Sequence, residues 1–196
     1  MPATDPKPKT AVRAAARQTR ARAFERFGER VGAILTANFL AQFSHPPGVD
    51  MAGYWPTNEE ADIRPLMTAL HQRGHRLALP RVMARGAPLR FLRWHPGDRL
   101  EAGFGGIPEP AAGAEEIHPE VLLVPLLGFD GTGLRLGYGG GFYDRTLAAL
   151  RRAGGVEAIG IAFSDQEVDS LPAGDHDERL DWVVTESGCR RFGQSS

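Results

Sequence analysis

The chain has 196 residues, with 23 lysines and arginines against 24 aspartates and glutamates, for a formal net charge of −1. At that length one domain is the default, and 42% hydrophobic residues can fill a sizeable core. The near-neutral total excludes coating of nucleic acid or an anionic membrane through bulk charge, and no apolar run approaches the about 20 residues that a bilayer span needs.

Residues 1–8 are rich in proline and lysine and are expected to form a disordered tail, leaving 9–192 as one α/β domain. Lys7, Lys9, Arg13, Arg17, Arg20, Arg22, Arg26 and Arg30 give a basic start that imitates an organelle transit peptide. Against that reading, Phe24, Phe27, Val31, Ile34, Leu35 and Phe39 recur at helical spacing, as in a segment with its own core face. No apolar stretch of the kind a secretory leader needs is present there. The single cysteine, Cys189, cannot form an internal disulfide, and a reducing cytoplasm is the expected home.

The spacing predicts a long helix from Thr10 to Phe43, broken near Gly28 or Gly32 and ended by His45-Pro46-Pro47-Gly48. A short strand follows at Met51–Trp55. Asn58 is placed to cap a helix over Glu59–Arg73, with Gly74 as its stop. Arg76–Val82 and Leu89–Trp94 have the apolar clustering of strands. Gly97–Glu116 is a long connection, Val121–Pro125 a buried strand, Phe142–Arg152 a helix, and Ala158–Phe163 and Trp182–Thr185 two more strands. Strands alternating with helices imply a mostly parallel sheet covered on both faces. There is no internal repeat.

Leu122–Asp144, LLVPLLGFDGTGLRLGYGGGFYD, carries the most chemistry. A buried strand feeds a glycine-rich loop, and a helix starts where the glycines stop. Bare amides and a helix N-terminus attract anions, so the loop suits a polyphosphate. Arg135 adds a positive charge and Asp144 a carboxylate able to hold a metal beside phosphates. The loop has no Gly-Lys-Ser/Thr, so it is not a Walker A loop. It misses the G-x-G-x-x-G register, and no acidic residue follows where a dinucleotide site needs one. Lys9 and Arg13, four apart on a helix, share one face and could grip phosphates. Taken alone, such a pair is more often a solvated helix face. His71 and His75 are spaced i, i+4, but Gly74 interrupts them and no third ligand follows, which disfavours zinc. There is no Gly-x-Ser-x-Gly elbow for a hydrolase.

The run FD-x-x-G-x-RLGYGGG-F-YDR-x-L resembles the signature of the 5-formyltetrahydrofolate cyclo-ligase (methenyltetrahydrofolate synthetase) family. The likeness spans about Lys9 to Val184 and is sharp in the central motif. It implies a three-layer α/β/α fold, with ATP- and magnesium-dependent closure of 5-formyltetrahydrofolate to the 5,10-methenyl form. Its implied ATP contacts are Lys9, Arg13, Arg135, Gly137, Tyr138, Gly139, Gly140, Gly141, Phe142 and Tyr143, with Arg135 and Tyr143 at the reacting groups. For folate it implies an acidic residue in the turn after Trp55, best matched by Glu60 with Glu59 in reserve, and Trp55, Tyr138 and Phe142 as walls. For magnesium it implies Asp144 and Asp181, with His176-Asp177 matching a further motif just upstream. The chain departs from the family at Leu126, where glycine is frequent, at Gly140, where some members have lysine, and at Phe142, where tyrosine is common. A monomer is the favoured state. The alternative is a non-catalytic regulator that binds nucleotide or folate on the same fold.

Overall fold

The computed structural model describes residues 9–193, with Lys9 described by its backbone alone. The proposed tail, 1–8, lies outside them. The expected break falls at Gly28, whose φ of 54° is open to glycine at little cost, and divides the segment into α1 (Lys9–Phe27) and α2 (Arg30–Gln42). Strand β1 (Asp50–Ala52) then leads to helix α3 (Arg64–Gln72).

That helix starts five residues later than expected. Pro65 sits in its first turn, where proline is favoured, and the Asp62 carboxylate accepts the Arg64 amide at 2.9 Å. Asn58 caps nothing here. It has a positive φ of 50° and turns the chain, so Glu59 and Glu60 lie in a loop. Next come β2 (Arg76–Arg81), β3 (Arg90–Arg93), a two-strand ribbon of β4 (Glu101–Ala102) and β5 (Pro108–Glu109), and β6 (Val121–Pro125). The glycine-rich stretch contains two short strands that periodicity missed, β7 (Gly128–Asp130) and β8 (Arg135–Leu136). Helix α4 (Phe142–Ala153) follows, then β9 (Glu157–Ile161), β10 (Glu167–Val168), β11 (Trp182–Thr185) and an unanticipated edge strand, β12 (Gly188–Arg191).

Seven strands form the main sheet in the order β12-β11-β9-β6-β1-β2-β3. The five inner strands run parallel; β3 and β12 close the edges antiparallel. Alternation along β6 sets the layers. Val121 and Leu123 face α2 and α3 through Leu35, Phe39, Leu66 and Leu70. Leu122 and Val124 face α4 through Leu147. The result is the expected three-layer α/β/α arrangement. From the β1–β6 pair the chain winds outward in both directions, and such a switch point leaves a crevice at the carboxyl ends of the strands. Among the described residues no helix is long and apolar enough to cross a membrane.

Candidate active site

A cavity of about 670 Å³ opens at that crevice. Tyr54 and Trp55 enter it from the end of β1, Pro80 and Val82 from the end of β2, and Pro125 from the end of β6. Phe104 and Ile107, from the turn between β4 and β5, wall it from the other side. Glu109 holds that turn in place. Its buried carboxylate accepts the amides of Phe104 at 3.1 Å and Val82 at 3.3 Å. The lining is mostly apolar and aromatic with a few polar groups, which suits a flat heterocycle.

Glu60 is the polar group with the most partners. It is 8% exposed. Its Oε2 accepts the Thr57 amide at 2.8 Å and the Thr57 hydroxyl at 3.1 Å, and its Oε1 accepts the Tyr138 hydroxyl. Arg20, buried on α1, donates to the same phenol oxygen and lies 3.5 Å from Glu59. Burial pushes the phenols of Tyr54, Tyr138 and Tyr143 above their ordinary value, and the Glu60 charge adds to each. All three stay protonated; Tyr54 donates to the Ala61 carbonyl at 2.8 Å and Tyr138 to Glu60.

A second, more polar cavity of about 170 Å³ adjoins the first. Arg13, Gly139 and Asp177 belong to its wall, while Arg135, Gly137, Gly141 and Asp144 line both cavities. Arg135 is held from two sides, by Asp144 Oδ1 at 2.7 Å and by the Glu178 carbonyl. Its side chain is 4% exposed; burial lowers its pKa and Asp144 opposes the shift. The Arg13 Nε donates to the Gly137 carbonyl at 3.0 Å. The amides of Gly139, Gly140 and Gly141 find no partner among the described residues and stand at the N-terminus of α4. Gly141 closes the loop with φ of 65°, and a Cβ there would lie 2.7 Å from Arg145. Two adjoining chambers thus meet at the glycine loop, one apolar with a carboxylate, the other polar with two arginines, two aspartates and free amides.

A family model described as the 5-formyltetrahydrofolate cyclo-ligase family matches residues 9–186. This chain belongs to the 5-formyltetrahydrofolate cyclo-ligase family. The protein of that name from Escherichia coli K12 is 36% identical over 152 residues, covering 74% of this chain and 83% of the relative. The one from Mycolicibacterium smegmatis is 37% identical over 145 residues, covering 70% and 74%. Among solved structures, the Aquifex aeolicus 5,10-methenyltetrahydrofolate synthetase superposes with a TM-score of 0.78 at 30% identity, covering 96% of this chain and 95% of that one. The Mycoplasma pneumoniae synthetase gives 0.72 at 24% identity, over 91% and 98%, a likeness of fold.

Against this cyclo-ligase background, the structure brings most of the expected residues together. Trp55, Glu60, Tyr138, Gly140, Phe142 and Tyr143 line the larger cavity, and Arg13 and Gly139 the smaller one. Phe142 packs edge-on against Phe104, with ring centres 5.9 Å apart. Lys9 opens α1, and its side chain lies outside what is described.

Asp181 is the exception. It lines neither cavity. Its Oδ2 accepts the Ala158 amide at 2.8 Å and pairs with Arg151 at 3.2 Å, at the amino end of β9 and away from the crevice. Asp177, four residues earlier, lines the smaller cavity with Arg135 and Asp144, and its charge acts on Arg135. Arg135 also departs from expectation in being a buried strut rather than a free loop charge. Sequence reasoning missed Arg20, although it follows Arg13 by two helical turns on the same face. It gave no role to Glu109 or to the Phe104 turn, which carry no motif.

Proposed function

We propose that this cyclo-ligase closes 5-formyltetrahydrofolate to 5,10-methenyltetrahydrofolate while converting ATP to ADP and phosphate. The observation that carries the reading is the pair of chambers sharing Arg135, Gly137, Gly141 and Asp144. A pteridine fits the aromatic chamber with its ring N–H groups toward Glu60. A triphosphate fits the smaller, polar chamber against Arg13 and the loop amides. The transferable phosphoryl and the formyl oxygen then meet at the shared wall.

The chemistry asks for this layout. The N5-formyl group is an amide, and its oxygen leaves poorly. That oxygen attacks the γ-phosphorus, ADP departs, and the oxygen becomes part of a phosphate leaving group. N10 next attacks the formyl carbon, the C–O bond breaks, phosphate leaves and N10 gives up its proton. Phosphoryl transfer of this kind depends on positioning and charge more than on a protein nucleophile. Arg135 supplies a fixed charge at the junction, and the protonated Tyr143 a hydroxyl donor beside it.

Among the described residues no group of three or more His, Cys, Asp or Glu could hold a metal. Magnesium does not need one, since it takes one or two carboxylates and completes its shell with water and phosphate oxygens. Asp144 and Asp177 are hard donors on the smaller, polar chamber and fit that role. When bound, the ion supplies positive charge that offsets the phosphate oxygens. Near-ultraviolet absorbance of the methenyl product is the test. It should appear only with ATP and magnesium together and vanish with chelator. Ligand binding without product would instead favour the regulator alternative.

A further inference from the structure

We infer that Tyr138 is a positioning residue of the folate half-site, whose hydroxyl occupies the Glu60 acceptor that a pteridine must take, so that folate binding and the placement of the glycine loop are coupled. The inference rests on the function proposed above. It starts from a count of acceptors. A carboxylate offers about four lone-pair sites. On Glu60 the Thr57 amide and hydroxyl fill both on Oε2, and the Tyr138 hydroxyl fills one on Oε1. The remaining site looks toward Arg20, whose Nη1 is 3.9 Å away.

A 2-amino-4-oxopyrimidine edge presents two adjacent N–H groups, each of which needs an acceptor site on the carboxylate. With both Oε2 sites filled by Thr57, the two must share Oε1, whose single open site serves only one of them, so one of the present partners must yield. Thr57 is locked, because its carbonyl accepts the Glu60 amide at 3.1 Å in the same turn. Arg20 is also fixed. It is 4% exposed and is anchored by Glu59 as well as by the phenol. Tyr138 can move. It is 41% exposed and sits between Gly137 and Gly139, the latter with φ of 104°.

Displacing Tyr138 moves its neighbours. The Gly137 carbonyl holds Arg13, and Gly139 packs against the same guanidinium. A triphosphate drawing the loop amides to itself would pull the Tyr138 hydroxyl off Glu60 and open the folate site. By reciprocity, folate would free the loop for nucleotide.

The test is calorimetric titration of 5-formyltetrahydrofolate into wild type and Tyr138→Phe. Each is measured alone and with a non-hydrolysable ATP analogue plus magnesium, with methenyl formation assayed on the same wild-type sample. Without nucleotide, Tyr138→Phe should bind folate ~10- to 100-fold more tightly, the net value of one competing hydrogen bond to a charged group. The analogue should tighten folate binding by a similar factor in wild type and by little in the variant. Equal or weaker folate binding by Tyr138→Phe, or an undiminished nucleotide effect, overturns the coupling role while wild-type turnover leaves the proposed function standing. Wild type that neither binds folate nor forms product overturns both.

Discussion

Asp177 and Asp181 lie four residues apart in one segment, and their neutralised variants should behave in opposite ways. Asp177→Asn keeps size and can still accept the Gly174 amide, now 2.7 Å from Oδ2 at the surface. Stability should therefore change by no more than about 0.5 kcal/mol. What is lost is an anionic oxygen on the chamber that also holds Arg135 and Asp144. An amide oxygen is a poorer magnesium ligand, so the barrier should rise by about 2–4 kcal/mol, a ~30- to 1,000-fold loss of turnover. The magnesium concentration for half-maximal rate should also rise. Asp181→Asn removes a carboxylate that holds Arg151 at 3.2 Å and the Ala158 amide at 2.8 Å. That pair is about a quarter exposed on each side, so screening limits the loss to about 1 kcal/mol of stability, with turnover little changed. Methenyl formation at varied magnesium, beside thermal unfolding, measures both effects. An inactive Asp181→Asn of normal stability, together with an active Asp177→Asn, would refute the assignment of the smaller chamber.

Glu60→Gln should weaken folate binding ~10- to 100-fold while leaving the KM for ATP nearly constant, since hydrogen bonds to a charged group are worth about 1.5–3 kcal/mol; an equal loss for both ligands would place Glu60 outside the folate half. Arg135→Ala should lower both turnover and thermal stability, because the buried side chain joins the loop to Asp144 and the Glu178 carbonyl; unchanged unfolding would show that the strut is not needed for the fold. For pH, burial holds the His75 pKa below its ordinary value, with the nearby His45 acting in the same direction. The unfolded chain therefore binds the proton first, and the contribution of neutral His75 to stability should fade as pH drops below about 6.5 toward the folded value. His75→Gln should flatten the melting temperature between pH 7 and 5 relative to wild type; an identical slope would assign the acid loss to other groups.

The main sheet was legible because its inner strands are apolar runs bounded by turn residues, as at Val121–Pro125 and Trp182–Thr185. The delayed start of α3 followed from Pro65 and Asp62, a local signal that the carboxylates at Glu59 and Glu60 masked. Strands β7 and β8 have too few residues to carry a period. They exist because Gly128–Asp130 pairs with Glu167–Val168 and with Arg135–Leu136, contacts that only the folded chain brings about. The site was legible where one contiguous motif held it, from Arg135 to Asp144. It was illegible where two aspartates compete within one segment. Which of them turns to the crevice is decided by Arg151, on a different element, taking up the Asp181 carboxylate.

Helix α1 shows why a loop so rich in glycine can still be ordered. Arg13 and Arg20 are seven residues apart, about 10 Å along the axis, and point the same way. One holds the Gly137 carbonyl, the other the Tyr138 hydroxyl and Glu59. Arg17, one turn from Arg13, and Arg22, on the opposite face, are exposed. The basic start of the chain is thus divided, with part of its charge committed to the loop and part left in solvent. Glycines give the loop amides their access to an anion but supply no side chains to pack. The loop therefore takes its order from polar anchors on α1, from Arg145 bonding the Gly140 carbonyl at 2.6 Å, and from the buried Arg135. Such anchors, unlike a packed core, can be exchanged one at a time for contacts with a phosphate or a pteridine. Loop order and ligand occupancy then draw on the same few groups, and a change at any one of them should be felt in both chambers.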